Sequence, residues 1–530
     1  MRFTIAFYYF RKRVERNRAM ISVQSIPKRK IIIWMITIAE ILTISIAAYW
    51  HNAEWINSDF SSELVLAEKL NEESALLSQG WYYSTELRVL NTQLITMPLF
   101  SIFDDWAMIR AVSIFICLLI LALSYAFFCK NTFGESGLIA LPLLICPFSY
   151  DYFDIVLVGS FYVPHITISF VSMGLYYKLL RHNKNKMFYI LAGIYLLLAF
   201  LAGAGGFRQL LELYIPVVLA VFYLGVKKAS HIREFFSRNV ILAGAGLCAG
   251  GVGLLFNQVL HQVYHFANMS AMTTVSLNGE KLFLILNGIL NSFGYRPGNS
   301  VFSLQGILSM GVVVIIFVIG YLIAVVIKDK DKEEYGHFLL FSILCHFALF
   351  LFTDTAYTDR YWLPLLAMTL PLLGWAGMEQ KIAFKYKFMR MGAIAAGVLL
   401  LANGGLVLKE KITMPENQAR NEVVEFLVDN DYFYGYAKFW SANVLTELTD
   451  GSIRVNTMLD WNGFQTNCWL IHEEDIGRVL DEKIFVLVDK SDGTDHSSCT
   501  YMDAKRIVFE NAEYRVYSYK NTQDLLRYLN

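Results

Sequence analysis

Two carboxylates and four arginines are the residues of this chain best suited to chemistry. Asp59 and Glu63 lie four apart in the run Asn57-Ser58-Asp59-Phe60-Ser61-Ser62-Glu63. On a helix that spacing puts both on one face. A carboxylate so placed can take the proton of an attacking hydroxyl in a group transfer. Arg88, Arg208, Arg296 and Arg360 supply planar guanidinium forks, which match phosphate or diphosphate oxygens. Glu86 neighbours Arg88, Tyr361 follows Arg360, and Asp151, Asp154 and His165 add two acids and an imidazole. Each residue also has a plainer reading. Ser58 or Asp59 would cap a helix, and Glu63 would be a solvated surface acid. Arg208 would pair with Glu212 at i+4, and Arg360 with Asp354 or Asp359. His165 would be hydrogen-bonded near a helix end.

The elements that must position these residues are membrane helices. Of the 530 residues, 56% are hydrophobic and 17% charged, whereas a soluble chain carries about 25% charged residues. Eleven apolar blocks run at 31–50, 108–128, 137–150, 162–180, 187–203, 209–226, 239–262, 302–327, 337–352, 361–378 and 391–408. A spanning helix needs about 20 such residues. The third block is short and holds Pro142 and Pro147, so it extends, kinks or re-enters, and the count of spans moves with it. Glu40 sits in the middle of the first block. A mid-membrane acid is costly against lipid, so it must face protein.

The net charge of zero conceals a segregation. Lys and Arg cluster in residues 1–30 and in alternate loops: Lys178 to Lys186, Lys227 to Arg238, Lys328 to Lys332 and Lys381 to Arg390. By the positive-inside rule the N-terminal tail is cytoplasmic and residues 409–530 are extracytoplasmic. The first block then reads as an uncleaved anchor, because its basic leader is long for a signal peptide. The four arginines fall on the side that should be poor in cations. An impermeant thiol reagent applied to intact cells is expected to label a cysteine introduced in the tail and to miss one at 329–334. Labelling of the second site overturns the orientation.

Outside the bundle, the acidic loop 51–107 reads as an amphipathic helix over 59–73, from Phe60, Leu64, Ala67 and Leu70. A second interfacial helix is expected at 280–292. The tail is long enough for a small α/β domain, with a helix at 418–429 and strands at Ile484–Val488 and Tyr514–Tyr519. Its aromatics Tyr432, Tyr434, Tyr436, Trp440, Trp461 and Trp469 pack a core or stack on sugars. Cys468 and Cys499 both fall in the tail. An exterior location permits them to pair.

This layout resembles the GT-C superfamily of membrane glycosyltransferases, which includes the protein O-mannosyltransferases and the aminoarabinose transferase of lipid A. The shared traits are the first span, the acidic first loop with an early Asp, the many spans and the small terminal domain. Arg360-Tyr361-Trp362-Leu363-Pro364 is similar to an Arg-Tyr…Pro element that opens a late span in bacterial members. Asp59 stands where such proteins carry the catalytic carboxylate. The chain departs from the pattern in lacking an acidic doublet there; Asp104-Asp105 is a doublet but comes late in the loop. The resemblance implies a polyprenyl-phosphate-linked sugar donor drawn from the membrane lipid. It implies inverting transfer to a glycan, lipid or protein acceptor on the outer face, with Asp59 as base and the arginines on the leaving phosphate. A divalent cation is compatible with such chemistry, although no Cys or His spacing demands one. Nothing suggests a nucleic-acid partner. Two other classes stay open: a transporter or lipid flippase, which would place ionisable residues near the midplane of two related halves, and a non-catalytic envelope-assembly scaffold.

Overall fold

The computed structural model describes residues 28–529 except 85, 86, 88, 229, 230, 232–234, 268–276, 278, 380–383, 415–416 and 494–498. Glu86, Arg88 and the basic tail before Lys28 lie outside the described residues. The chain enters through α1 (Lys28–Trp50), forms α2 (Ser58–Glu73) in the first loop and returns as α3 (Trp106–Asn131). Then come α4 (Val163–Arg181), α5 (Lys186–Ala204), α6 (Leu210–Lys228) and α7 (Arg238–Leu260). The apolar helix α8 (Lys281–Ser292) occupies the expected interfacial segment. The bundle ends with α9 (Leu304–Ile327), α10 (Glu333–Phe352), α11 (Leu363–Gly377) and α12 (Phe384–Thr413).

Among the described residues, eight helices are long and apolar enough to span a membrane, or nine when α4 is joined to the short helix Tyr152–Val158 across a 73° bend. The other two apolar blocks are shorter. The block at 137–150 breaks into Glu135–Leu138 and Leu141–Ile145. Pro142 sits in the first turn of the second piece, and Cys146 is extended because it precedes Pro147. α11 has 15 residues with Pro371 inside it. Small residues let α5 and α7 touch. A Cβ on Gly203 would lie 1.9 Å from the Gly250 carbonyl oxygen, so only glycine fits there.

Residues 417–529 form a six-stranded sheet with helices on one face. After α13 (Gln418–Asp429) come β1 (Tyr434–Lys438), α14 (Phe439–Leu448) and β2 (Arg454–Asp460). The parallel β1–β2 pair needs a crossover, which α14 supplies. β3 (Gln465–Thr466), β4 (Ile484–Asp489), β5 (Ile507–Glu510) and β6 (Tyr514–Tyr519) complete the order β3-β2-β1-β4-β6-β5. Side chains alternate across the sheet. Phe485 and Leu487 point to α13 and α14, whereas Ile484, Val486 and Val488 join Tyr434, Tyr436 and Trp461 on the other face. Tyr432, Tyr434, Tyr436 and Trp461 are therefore core residues. Trp440 is exposed, and Trp469 packs on Phe439. The expected Cys468–Cys499 bridge does not form. Cys499 is buried in the domain and hydrogen-bonds Asn462 Oδ1, while Cys468 is at the surface.

The first loop is a middle layer between the bundle and this domain. α2 begins where Asn57 Oδ1 accepts the Phe60 N–H, so neither Ser58 nor Asp59 is the cap. Its apolar residues Leu64, Val65 and Leu70 pack with Trp81, Leu99, Trp106 and Ile109. Its acidic face is only partly solvated, with Glu72 and Glu73 exposed and Glu68 covered. Arg454 Nη2 reaches Glu68 at 2.5 Å, and Lys69 Nζ bridges Glu72 at 2.7 Å and Glu474 at 3.1 Å. The polar face of α2 is the docking face for the C-terminal domain.

Candidate active site

The corner from Ser149 to His165 gathers most of the polar residues singled out in the sequence. It opens with Asp151 and continues as a π-helical turn, Tyr152–Val158, that carries Asp154. A second π-helical turn, Leu210–Tyr214, opens α6 just after Arg208 and carries the buried Glu212. Such turns are rare and concentrate at functional sites, since the extra residue redirects side chains. Here both turns flank one phenol, Tyr162.

Arg208 Nη1 donates to Tyr162 Oη at 2.8 Å, and its guanidinium lies 4.7 Å from the centre of the Tyr361 ring. The Tyr162 phenol also lies in the field of Arg360 and Glu212. Arg208, Arg360 and Tyr361 therefore converge, although about 150 residues separate the first from the second in sequence. A short 3-10 turn, Asp359–Trp362, presents Arg360, and Pro364 then starts α11. Asn291 of α8 donates to Asp359 Oδ2 at 2.9 Å and holds that carboxylate aside. Among the described residues Arg360 makes no hydrogen bond or ion pair, and its Nε is buried without a partner. The expected pairing with Asp354 or Asp359 does not form.

Asp151 faces Arg360 and Asp359. Burial pushes its carboxyl above the usual range, Asp359 pushes the same way, and Arg360 opposes them. His165 is locked: Nδ1 meets Gln209 Oε1 at 2.7 Å, and Gln209 Nε2 donates to the His165 carbonyl at 3.1 Å and to Ser169 Oγ at 2.9 Å. Its ring lies 5.5 Å from that of Tyr162. Arg208 lines a small cavity between α4 and α5 together with Leu90, Pro164, His165, Ile168, Leu201, Ala202 and Gln209. Most of its lining is apolar.

The other residues sit beside this group. Arg296 is committed to Glu410, with Nη1 at 2.9 and 2.7 Å from the two carboxylate oxygens, and stacks on Tyr150 at 4.8 Å. Asp154 is 3.3 Å from Lys411 Nζ. Both ion pairs join segments distant in sequence, and the first commits Arg296. Asp59 stands half-buried between two contacts with the same corner: Trp55 meets Phe153 at 4.9 Å and Phe60 meets Phe161 at 5.3 Å. Glu63, on the next turn, accepts from Asn91 at 3.3 Å and from Gln93. Among the described residues no three His, Cys, Asp or Glu side chains form a metal-binding group.

Tyr162, Gln209 and Lys411 escaped the sequence reading, and Glu212 and Asp359 entered it only as partners of Arg208 and Arg360. Lys411 carried a usable signal, a cation on the cation-poor side. The tyrosine and the glutamine carried none, because nothing local distinguishes them from core residues.

No protein-family model and no curated protein matches the chain. Solved structures do. ArnT from Cupriavidus metallidurans bound to undecaprenyl phosphate matches at 9% identity and TM-score 0.51, over 92% of this chain and 98% of that one. The apo state of the same protein matches at 9% identity and TM-score 0.51, over 90% and 97%. At that identity the likeness concerns the fold, and it runs nearly end to end. The chain shares the fold of ArnT, and in this chain it comprises a bundle of apolar helices and a small terminal sheet domain.

Proposed function

We propose that this chain is a membrane glycosyltransferase that takes a sugar from a polyprenyl-phosphate-linked donor and passes it to an acceptor on the extracytoplasmic face. The observation that carries this reading is the half-buried Arg360, whose Nε has no hydrogen-bond partner among the described residues, near Arg208, which lines a largely apolar cavity. A cation partly withdrawn from water is completed by an anionic ligand. A phosphate with a hydrocarbon tail fits both the charge and the walls. The ArnT fold supports the same class, since ArnT has been solved bound to undecaprenyl phosphate.

In this mechanism an acceptor hydroxyl attacks the anomeric carbon from the face opposite the phosphate. The new C–O bond forms as the bond to the phosphate oxygen breaks, and configuration inverts. The electron pair leaves with the polyprenyl phosphate, where Arg208 and Arg360 stabilise the developing charge. The hydroxyl proton passes to the Asp59 carboxylate. Glu63 shares that face and, held by Asn91 and Gln93, supports the acid side of the site. Asp151 lies in the field of Arg360 at this corner. The acceptor is a glycan, lipid or protein.

The test uses the full chain in detergent with a panel of undecaprenyl-phosphate-linked monosaccharides and an envelope fraction as acceptor. Transfer of at least one sugar with release of undecaprenyl phosphate is expected. No turnover across the panel, together with no binding of undecaprenyl phosphate, overturns the reading.

A further inference from the structure

The base proposed above lies in the first turn of α2, and a side chain from another element grips that turn. Arg110, buried near the start of α3, donates through Nη2 to the Phe60 carbonyl oxygen at 3.1 Å. Phe60 is the residue after Asp59. The same guanidinium is held by Glu447 of α14, with Nε–Oε1 at 2.5 Å and Nη2–Oε2 at 2.6 Å. Glu447 belongs to the C-terminal domain and is fully buried. Trp106 N–H donates to Asp450 Oδ1 at 2.9 Å, so a second bond pins the same end of α3 to the same domain.

The turn has room to move. A small cavity lies between α2, α3 and residues 158–160, and Glu63 and Arg110 both line it. Without Glu447 the guanidinium would be a buried cation facing Glu63 across that space. Turning toward Glu63 would release the Phe60 carbonyl. Gly159, across that space, packs closely on the Phe60 ring, since a Cβ there would lie 2.8 Å from it.

We propose that Glu447 is a positioning residue that acts through Arg110 on the first turn of α2, so that docking of the C-terminal domain sets the Asp59 carboxylate. This rests on the assignment of Asp59 as base. The domain is then a working part of the active site. A displacement of about 1 Å at a reacting group can cost on the order of 100-fold in rate, so a bidentate clamp on the adjacent peptide is a strong lever.

Two full-length proteins test the relay. Glu447→Gln keeps the shape and removes the charge. Arg110→Met/Glu447→Met replaces the pair by apolar side chains of similar size, a change that buried ion pairs often survive without loss of stability. The measurements are hydrogen exchange along α2, binding of undecaprenyl phosphate, and kcat and KM for the undecaprenyl-phosphate-linked sugar accepted in the assay above. Both variants are expected to bind undecaprenyl phosphate normally and to exchange about tenfold faster at 58–64 than the native chain, with 66–73 unchanged. Their kcat should fall by about 10- to 100-fold with KM within about twofold. Wild-type kcat in the folded double variant overturns the relay, as does a loss confined to undecaprenyl phosphate binding. Asp59→Asn run in parallel separates the two assignments. An inactive Asp59→Asn beside a fully active Glu447→Gln removes the relay alone, whereas a fully active Asp59→Asn removes the base and the relay with it.

Discussion

Asp59→Asn is expected to leave the protein folded and to lower sugar transfer by about 10²- to 10⁴-fold, the usual contribution of a positioned base. Asparagine has the same shape, so no cavity or clash results. Helix α2 keeps its cap, because Asn57 and not Asp59 receives the Phe60 N–H. What the helix loses is one acidic group in its first turn, about 0.3–1 kcal/mol of interaction with the helix dipole. A thermal melt should therefore shift little while the initial rate at saturating donor collapses. Binding of undecaprenyl phosphate should stay near wild type, since the arginines that would hold it come from other elements. Transfer within twofold of the native rate would sink the assignment. A large drop in melting temperature would instead mark Asp59 as structural.

Arg360→Ala is expected to do the reverse, weakening the lipid phosphate while sparing the fold. Among the described residues this side chain makes no hydrogen bond or ion pair. Its removal thus breaks no internal bond, and the 3-10 turn is still held by Asn291 on Asp359 and by Trp362 packed on His346. A hydrogen bond to a charged group is worth about 1.5–3 kcal/mol, which corresponds to about 10- to 100-fold in affinity. Titration of undecaprenyl phosphate in detergent, read by ligand-dependent melting, measures this directly. Arg360→Lys should recover part of the loss, because an ammonium keeps the charge and lacks the planar fork. Unchanged affinity in Arg360→Ala would remove this residue from the phosphate site. Arg208 would not give so clean a result, since it also bonds Tyr162 and stacks on Tyr361.

Much of the scaffold was legible in the order of the residues. Apolar runs of about 20 residues have few alternatives to a spanning helix, since every backbone polar group must be satisfied within it. The helical period of Phe60, Leu64, Ala67 and Leu70 located α2, and short β-rich runs located β4 and β6. The proline pair at 142 and 147 marked the block that breaks. These features rest on neighbours a few positions apart, which is why one sequence suffices to read them.

Tertiary structure alone decided which charges are committed and which remain to act. Arg296 and Arg360 look alike in sequence, yet Glu410 at the end of α12 takes the first and nothing among the described residues takes the second. The acidic face of α2 reads as solvated until Arg454 and Glu474 arrive from the terminal domain. Arg110 and Glu447 meet across 337 positions, and no local pattern announces either one. A carboxylate or guanidinium has the same composition whether it is neutralised or not. Its chemistry depends on the field of groups within a few ångströms, and that field exists only after distant segments have packed.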